Sequence, residues 1–239
     1  MTKLPFGPIK LYTSGICPFA QRTTIALHEL GLIHNIDAGV HRDGDVDIVE
    51  IDLSNKPDWY KTVNPRGKVP ALEITHTTDG KKEVLVESAL IAEFLLQSSN
   101  HPALLYSDPI KRYRAGIVID AISNQYIGAF YGLLKEKVAD NQPAAAAKLL
   151  DAIRAVQDTL VSSEGPYALG AEFSIADIIS APFLARLSVN EHYRGFTIPK
   201  TDEFKRFHQW FDALRARPSI KDTTATKERL VAAYRAYAE

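Results

Sequence analysis

The sequence predicts an α/β domain of thioredoxin-like pattern followed by an all-α domain. Three observations carry that expectation. Strand and helix periodicities alternate as β-α-β-α-β-β-α over residues 9–97. Periodicity then lapses over residues 98–109, a Ser/Pro-containing stretch that reads as a linker. From residue 110 to the end at 239 every periodic segment has helical spacing. The expected boundaries are therefore 1–97, 98–109 and 110–239.

Taken in order, Ile9 to Thr13 alternates as a strand, and Ser14-Gly15 turns the chain. Pro18 suits the first position of a helix, where its missing N–H would lack a partner anyway. That helix runs to Leu30, with Gly31 as its stop. Residues 32–45 are polar and read as an irregular loop. Val46 to Leu53 alternates again, with a slip at Val49, and Pro57 to Lys61 suggests a short helical turn. Val69 to Ile74 and Glu83 to Val86 form two further strands around Thr77-Thr78-Asp79-Gly80, where the glycine fits a positive φ. Ser88 to Leu96 closes the domain as a helix. Beyond the linker, helices are expected over residues 110–139, 144–160, 175–189, 203–215 and 225–237.

Composition narrows the function. Apolar residues make up 46% of the chain, enough for a sizeable core. Lys plus Arg number 28 against 29 for Asp plus Glu, a net charge of −1, which argues against nucleic acid or an anionic membrane as the partner. No apolar run approaches the roughly 18 residues of a membrane span. The first eight residues are too rich in Pro and Gly for a signal sequence. One cysteine excludes an internal disulfide, so a reducing compartment, the cytosol, is expected.

That cysteine is the centre of the functional reading. Cys17 stands directly before Pro18, at the start of a helix whose unpaired N–H groups and macrodipole favour a thiolate. Arg22, one turn further on, adds positive charge. The competing reading is an inert buried thiol. Position 20 is alanine, so Cys-x-x-Cys is absent and a mixed disulfide at Cys17 must be released by an external thiol such as glutathione. Two other segments support a thiol site. Pro70 at the head of a strand fits a cis turn that exposes the Val69 backbone to an extended peptide ligand, or else a plain edge-strand proline. Ser88 reads as an N-cap facing a carboxylate, or simply as a cap.

These segments, in this order, resemble the glutathione transferase superfamily. Cys17-Pro18-Phe19-Ala20-x-Arg22 is similar to its omega class, and the similarity continues through Lys56-Pro57-Asp58-Trp59, Asn64-Pro65-x-Gly67-x-Val69-Pro70, Glu87-Ser88-Ala89 and the capping box Ser174-Ile175-Ala176-Asp177. Gln21, where glutamate is common, and the polar stretch at 34–47 depart from the animal pattern and fit a fungal omega-like enzyme. The resemblance implies the glutathione transferase fold and glutathione as co-substrate. Cys17 would be the catalytic nucleophile and Phe19 a wall near the sulfur. Lys56 would hold the glycyl carboxylate, Val69 with cis Pro70 the cysteinyl unit, and Glu87 with Ser88 the γ-glutamyl end.

A cysteine at this place favours thiol exchange over conjugation: deglutathionylation, dehydroascorbate reduction or reductive cleavage of glutathione conjugates. The alternatives are a ligandin-like protein that binds hydrophobic ligands without turnover, and a conjugating transferase, which lacks a good activator because Tyr12 sits within the strand and Ser14 precedes the turn. Tyr126 and Phe130, with Tyr131, have the spacing to line an acceptor pocket for a small hydrophobic or disulfide substrate, although core or interface packing is the favoured explanation. A homodimer follows from the resemblance. The seven histidines show no metal spacing, so no metal is expected. Gly39 to Asp45 has the glycines of a phosphate loop without its Lys and Ser/Thr, and is rejected as one.

Overall fold

The computed structural model describes residues 4–34, 42–43, 46–99, 101–161 and 165–239. Most of the loop expected at 32–45, with Gly39 and His41, lies outside them. The chain forms two compact units. One comprises Met1–Leu105 with Pro218–Thr224, the other Tyr106–Arg217 with Ala225–Glu239.

The first unit is built on a sheet of β1 (Ile9–Thr13), β2 (Arg42–Asp43), β3 (Val46–Glu50), β4 (Ala71–Thr75) and β5 (Lys82–Val86), in spatial order β2-β3-β1-β4-β5. β1 runs parallel to β3 and antiparallel to β4, and β4 pairs antiparallel with β5. The parallel pair needs a crossover, which is α1 (Pro18–Glu29). β1 is central, and four of its five residues are buried, as a strand covered on both faces requires. Short α2 (Tyr60–Val63) precedes β4, α3 (Ser88–Ser98) follows β5, and α4 (Pro102–Leu105) lies within the stretch expected to be linker.

α1 and α3 pack on each other, and Ile25, Ala26 and Leu27 of α1 and Ile91, Ala92 and Leu95 of α3 are all buried. Gly31 ends α1 as expected: its φ of +67° lets its N–H reach the His28 carbonyl at 2.9 Å. The strand expected to reach Leu53 stops at Glu50. Asp52 there takes the N–H groups of Ser54 (2.8 Å) and Asn55 (3.3 Å), an Asx turn that competes with the ladder.

The second unit is helical. α5 (Pro109–Ala121) starts at Asp108, whose carboxylate accepts the Ile110 and Lys111 N–H groups at 2.7 and 3.0 Å. It passes through a π turn at Ile122–Tyr126 into α6 (Ile127–Lys135). Then follow α7 (Gln142–Thr159), α8 (Ile175–Ala185), α9 (Leu187–Arg194) and α10 (Lys205–Ala216). α11 (Pro218–Lys221) belongs to the first unit, and α12 (Lys227–Ala238) returns to the second.

The single helix expected over 175–189 is two. The buried Arg186 turns its own Nη1 onto the Pro182 carbonyl at 2.6 Å, and its backbone N–H goes to Phe183 at 3.3 Å instead. The carbonyl that would continue the i→i+4 ladder is thereby taken by a side chain, while the apolar pattern runs on unbroken.

α8 is anchored by Asp177, which is fully buried. Its two oxygens accept the Ser174 N–H at 2.9 Å and hydroxyl at 3.1 Å, the Ala168 N–H at 3.0 Å and the Trp210 indole N–H at 2.7 Å. The capping box expected from Ser174 and Asp177 is present. Burial pushes the Asp177 carboxyl up, with these four bonds opposing it.

Candidate active site

The site lies wholly within the first unit. Thr13 ends β1, and Glu50 at the end of β3 takes the Gly15 N–H at 2.9 Å and the Ser14 hydroxyl at 3.3 Å. This ties down the turn between strand and helix. The Cys17 N–H then reaches the Ser14 carbonyl at 2.9 Å, and the Cys17 carbonyl accepts the Gln21 N–H at 3.0 Å, the first bond of α1. Cys17 is the N-cap, with φ −82° and ψ 120°, and Pro18 follows at the first helical position. The thiol is half-buried and lies 4.0 Å from the Val69 carbonyl.

A cleft of about 270 Å³ opens at this thiol. Its lining brings together all seven residues that the sequence placed around glutathione: Cys17, Phe19, Lys56, Val69, Pro70, Glu87 and Ser88. The Val69–Pro70 peptide is cis. Phe19 is 40% exposed, so its ring is available as a wall of the cleft.

Five further residues line the cleft that the sequence did not single out as site residues: Leu53, Asn64, Arg66, Lys68 and Val86. Asn64 stood within the quoted Asn-Pro-x-Gly-x-Val-Pro segment, and Arg66 and Lys68 at its two variable positions. The signal was thus present for Asn64, while the direction of the other side chains was hidden.

Ser88 differs from expectation. The N-cap of α3 is Glu87, in the unusual conformation φ +70°, ψ 104°, and Ser88 is the first helical residue. The Ser88 hydroxyl instead accepts a bond from Arg22 Nη1 at 3.3 Å. Arg22 is almost fully buried and sits 5.3 Å from the Phe19 ring centroid. Burial pulls its guanidinium down to about 10, while the negative charge of an ionised Cys17 acts the other way. Thiolate and guanidinium therefore stabilise one another.

The rim carries Lys56, Arg66 and Lys68 against the single carboxylate of Glu87. Arg66 and Glu87 pair at 2.6 Å, both well exposed. The balance is positive and suits a ligand with more than one carboxylate.

Tyr126 and Phe130 lie in the second unit, 0% and 1% exposed, with ring centroids 6.3 Å apart. Tyr131 stacks on Tyr234 with centroids 6.3 Å apart. Tyr12 is buried in the sheet, its hydroxyl 3.3 Å from Glu73, and burial raises its phenol. Among the described residues no group of three or more His, Cys, Asp or Glu is arranged to hold a metal. No described helix is long and apolar enough to cross a membrane.

A thioredoxin-like unit with a monothiol at a helix start, on one chain with an all-helical unit, is the two-domain architecture of glutathione transferases. Family models agree: the glutathione S-transferase N-terminal domain matches residues 16–97 and the C-terminal domain residues 136–213. The chain belongs to the glutathione S-transferase family and is omega-like within it. It is similar to glutathione transferase Omega 2C of Trametes versicolor, with 32% identity, TM-score 0.78, and 98% of this chain and 100% of that one covered. Omega 2S of the same fungus, solved with 2,4-dihydroxybenzophenone, shares 27% identity with TM-score 0.74, covering 95% and 98%. The rice (Oryza sativa) protein "Probable glutathione S-transferase DHAR1, cytosolic" is 29% identical over 93% of this chain and 90% of its own.

Proposed function

We propose that the chain is a glutathione-dependent thiol transferase working through Cys17 alone. The observation that carries this reading is the half-buried Cys17 thiol at the start of α1, opening onto a cleft with cis Pro70 and the Glu87-Ser88 pair. The Cys17 thiolate attacks the glutathione sulfur of a mixed disulfide, and the S–S bond breaks. The acceptor leaves as its thiol, taking a proton from solvent. A glutathione thiolate then attacks the Cys17–glutathione disulfide, forming glutathione disulfide and releasing the Cys17 thiolate. The net change is one disulfide reduced and one molecule of glutathione oxidised into glutathione disulfide.

In this reading Lys56 binds the glycyl carboxylate, the Val69 backbone the cysteinyl unit, Glu87 and Ser88 the γ-glutamyl end, and Phe19 walls the sulfur. Arg22 stabilises the thiolate. Dehydroascorbate reduction would use the same thiol with a different balance, two glutathione molecules giving two electrons and two protons to form ascorbate and glutathione disulfide, and the DHAR-named rice relative supports it. That relative's name also supports a cytoplasmic location. We read the assembly as a homodimer, which light scattering tests. An acceptor pocket at Tyr126 and Phe130 requires these buried rings to become accessible when substrate binds.

The test is mass spectrometry after incubation with glutathione disulfide. The expected result is a single glutathionyl group on Cys17, removed by added glutathione. Absence of that adduct rejects the mechanism. A ligand-binding reading has one support, the benzophenone complex of the Omega 2S relative. Tight binding of such aromatics with no turnover of disulfide or dehydroascorbate would favour it.

A further inference from the structure

Tyr60 is fully buried at the start of α2, yet its hydroxyl is not idle. It donates to the Lys68 carbonyl at 2.8 Å, and Asn64 Nδ2 donates to the same oxygen at 2.7 Å. Both lone pairs of that carbonyl are thus occupied by side chains. The turn itself is held by Asn64, whose backbone carbonyl accepts the Gly67 N–H at 2.7 Å and whose Oδ1 accepts the Arg66 N–H at 3.1 Å. Gly67 takes φ +60°, which lets the chain double back to Lys68.

The Lys68 carbonyl and the Val69 N–H belong to one planar trans peptide unit and point in opposite directions. Fixing the oxygen on Tyr60 and Asn64 therefore fixes the direction of the Val69 N–H, away from those two side chains. The Tyr60 ring also packs in the apolar cluster of Tyr12, Val69 and Ala71, against which Cys17 rests. One side chain thus touches both the backbone that would pair with ligand and the surroundings of the thiol.

We propose that Tyr60 is a positioning residue whose hydroxyl, with Asn64, holds the Lys68–Val69 peptide in the orientation that glutathione's cysteinyl unit pairs with. This deepens the glutathione reading and rests on it. Burial keeps the phenol protonated far above neutrality, pushing it up to about 12, so the donor is present at any working pH.

The variant Tyr60→Phe removes the donor and leaves the ring. The expected result is a three- to tenfold rise in KM for glutathione, the scale of one lost hydrogen bond, with kcat changed less than twofold. Calorimetric titration of glutathione into the Cys17→Ser protein, with and without Tyr60→Phe, should show the same weakening. Asn64→Ala should act in the same direction. The double variant should lose more than either single one, because each donor holds the carbonyl in part. A Tyr60→Phe protein that melts earlier but binds glutathione as tightly as its parent overturns the proposal and leaves a structural role only. Failure of the parent protein to bind glutathione overturns the proposed function with it, so the two failures are told apart by the parent measurement.

Discussion

Arg22 Nη1 meets the Ser88 hydroxyl at 3.3 Å, so one buried cation joins the start of the thiol-bearing helix to the start of the helix that follows β5. Arg22→Met keeps the volume and removes the charge. Alkylation of Cys17 by iodoacetamide at neutral pH should slow about tenfold or more, the scale of one close opposite charge. Arg22→Lys should recover part of the rate through charge, but not the fork geometry that reaches Ser88. Equal alkylation rates in all three proteins would remove Arg22 from the mechanism.

Cys17→Ser should lower glutathione-dependent disulfide reduction by at least a hundredfold, since no other cysteine exists to carry the exchange. The hydroxyl can instead hydrogen-bond a bound glutathione thiolate, so conjugation of an aromatic halide should rise. Retained disulfide reduction in the serine variant would sink the single-thiol mechanism.

Alkaline titration separates two buried groups. Tyr60 is raised to about 12 by burial. Between an ordinary phenol value near 10 and about 12, the folded protein holds this proton and the unfolded chain does not. Its contribution is therefore full below about 10 and is lost as pH rises through about 12. Arg22 works in the opposite sense: lowered to about 10, it releases its proton in the folded state first, so its term grows with pH above that value. Urea melts from pH 9 to 12 should show Tyr60→Phe gaining up to about 2 kcal/mol relative to wild type across that range. A constant difference between the two proteins would contradict this.

Gln21 tests the returning segment. Its Nε2 donates to Thr224 Oγ1 at 2.7 Å and to Thr223 Oγ1 at 3.3 Å. Those hydroxyls pass on to the Ile220 and Ser219 carbonyls, each at 2.6 Å. Gln21→Ala should cost roughly 2 kcal/mol through two lost bonds and a small void. Amide exchange should show the loss as faster opening of residues 218–224.

Asp177 carries the largest expected stability effect. Asp177→Ala strands the buried Trp210, Ala168 and Ser174 donors and should cost roughly 3–5 kcal/mol. Asp177→Asn should fall between, because its amide turns a donor toward Ser174 or toward Trp210. Thermal melts of both variants check the order, and a loss below 1 kcal/mol in the alanine protein would contradict it.

Much of this was legible in the sequence where local rules decide. Pro18 and Gly31 mark the ends of α1, and Gly80 marks the hairpin turn, because each rests on a property of the residue itself. The place of Cys17 could be read for the same reason: a residue before a helix-starting proline is a local signal for the start of a helix. What stayed hidden depends on distant partners. The break between α8 and α9 comes from Arg186 turning back onto Pro182, which no apolar period registers. Ser88 looked like a cap because its type favours one, whereas Arg22, 66 residues earlier, takes its hydroxyl. The Tyr60 phenol meets a carbonyl eight residues on, across a turn that Gly67 permits.

The passage of residues 218–224 through the first unit bears on how the protein is made. Asp222 meets His28 at 3.3 Å, and Thr223 and Thr224 meet Gln21, so partners of α1 are encoded about 200 residues after it, beyond most of the helical unit. A domain normally folds once its own residues have left the ribosome. Here the helix that follows Cys17 gains these supports only after most of the helical unit has been synthesised. The unit that carries Cys17 is completed only after residues 106–217 have been made.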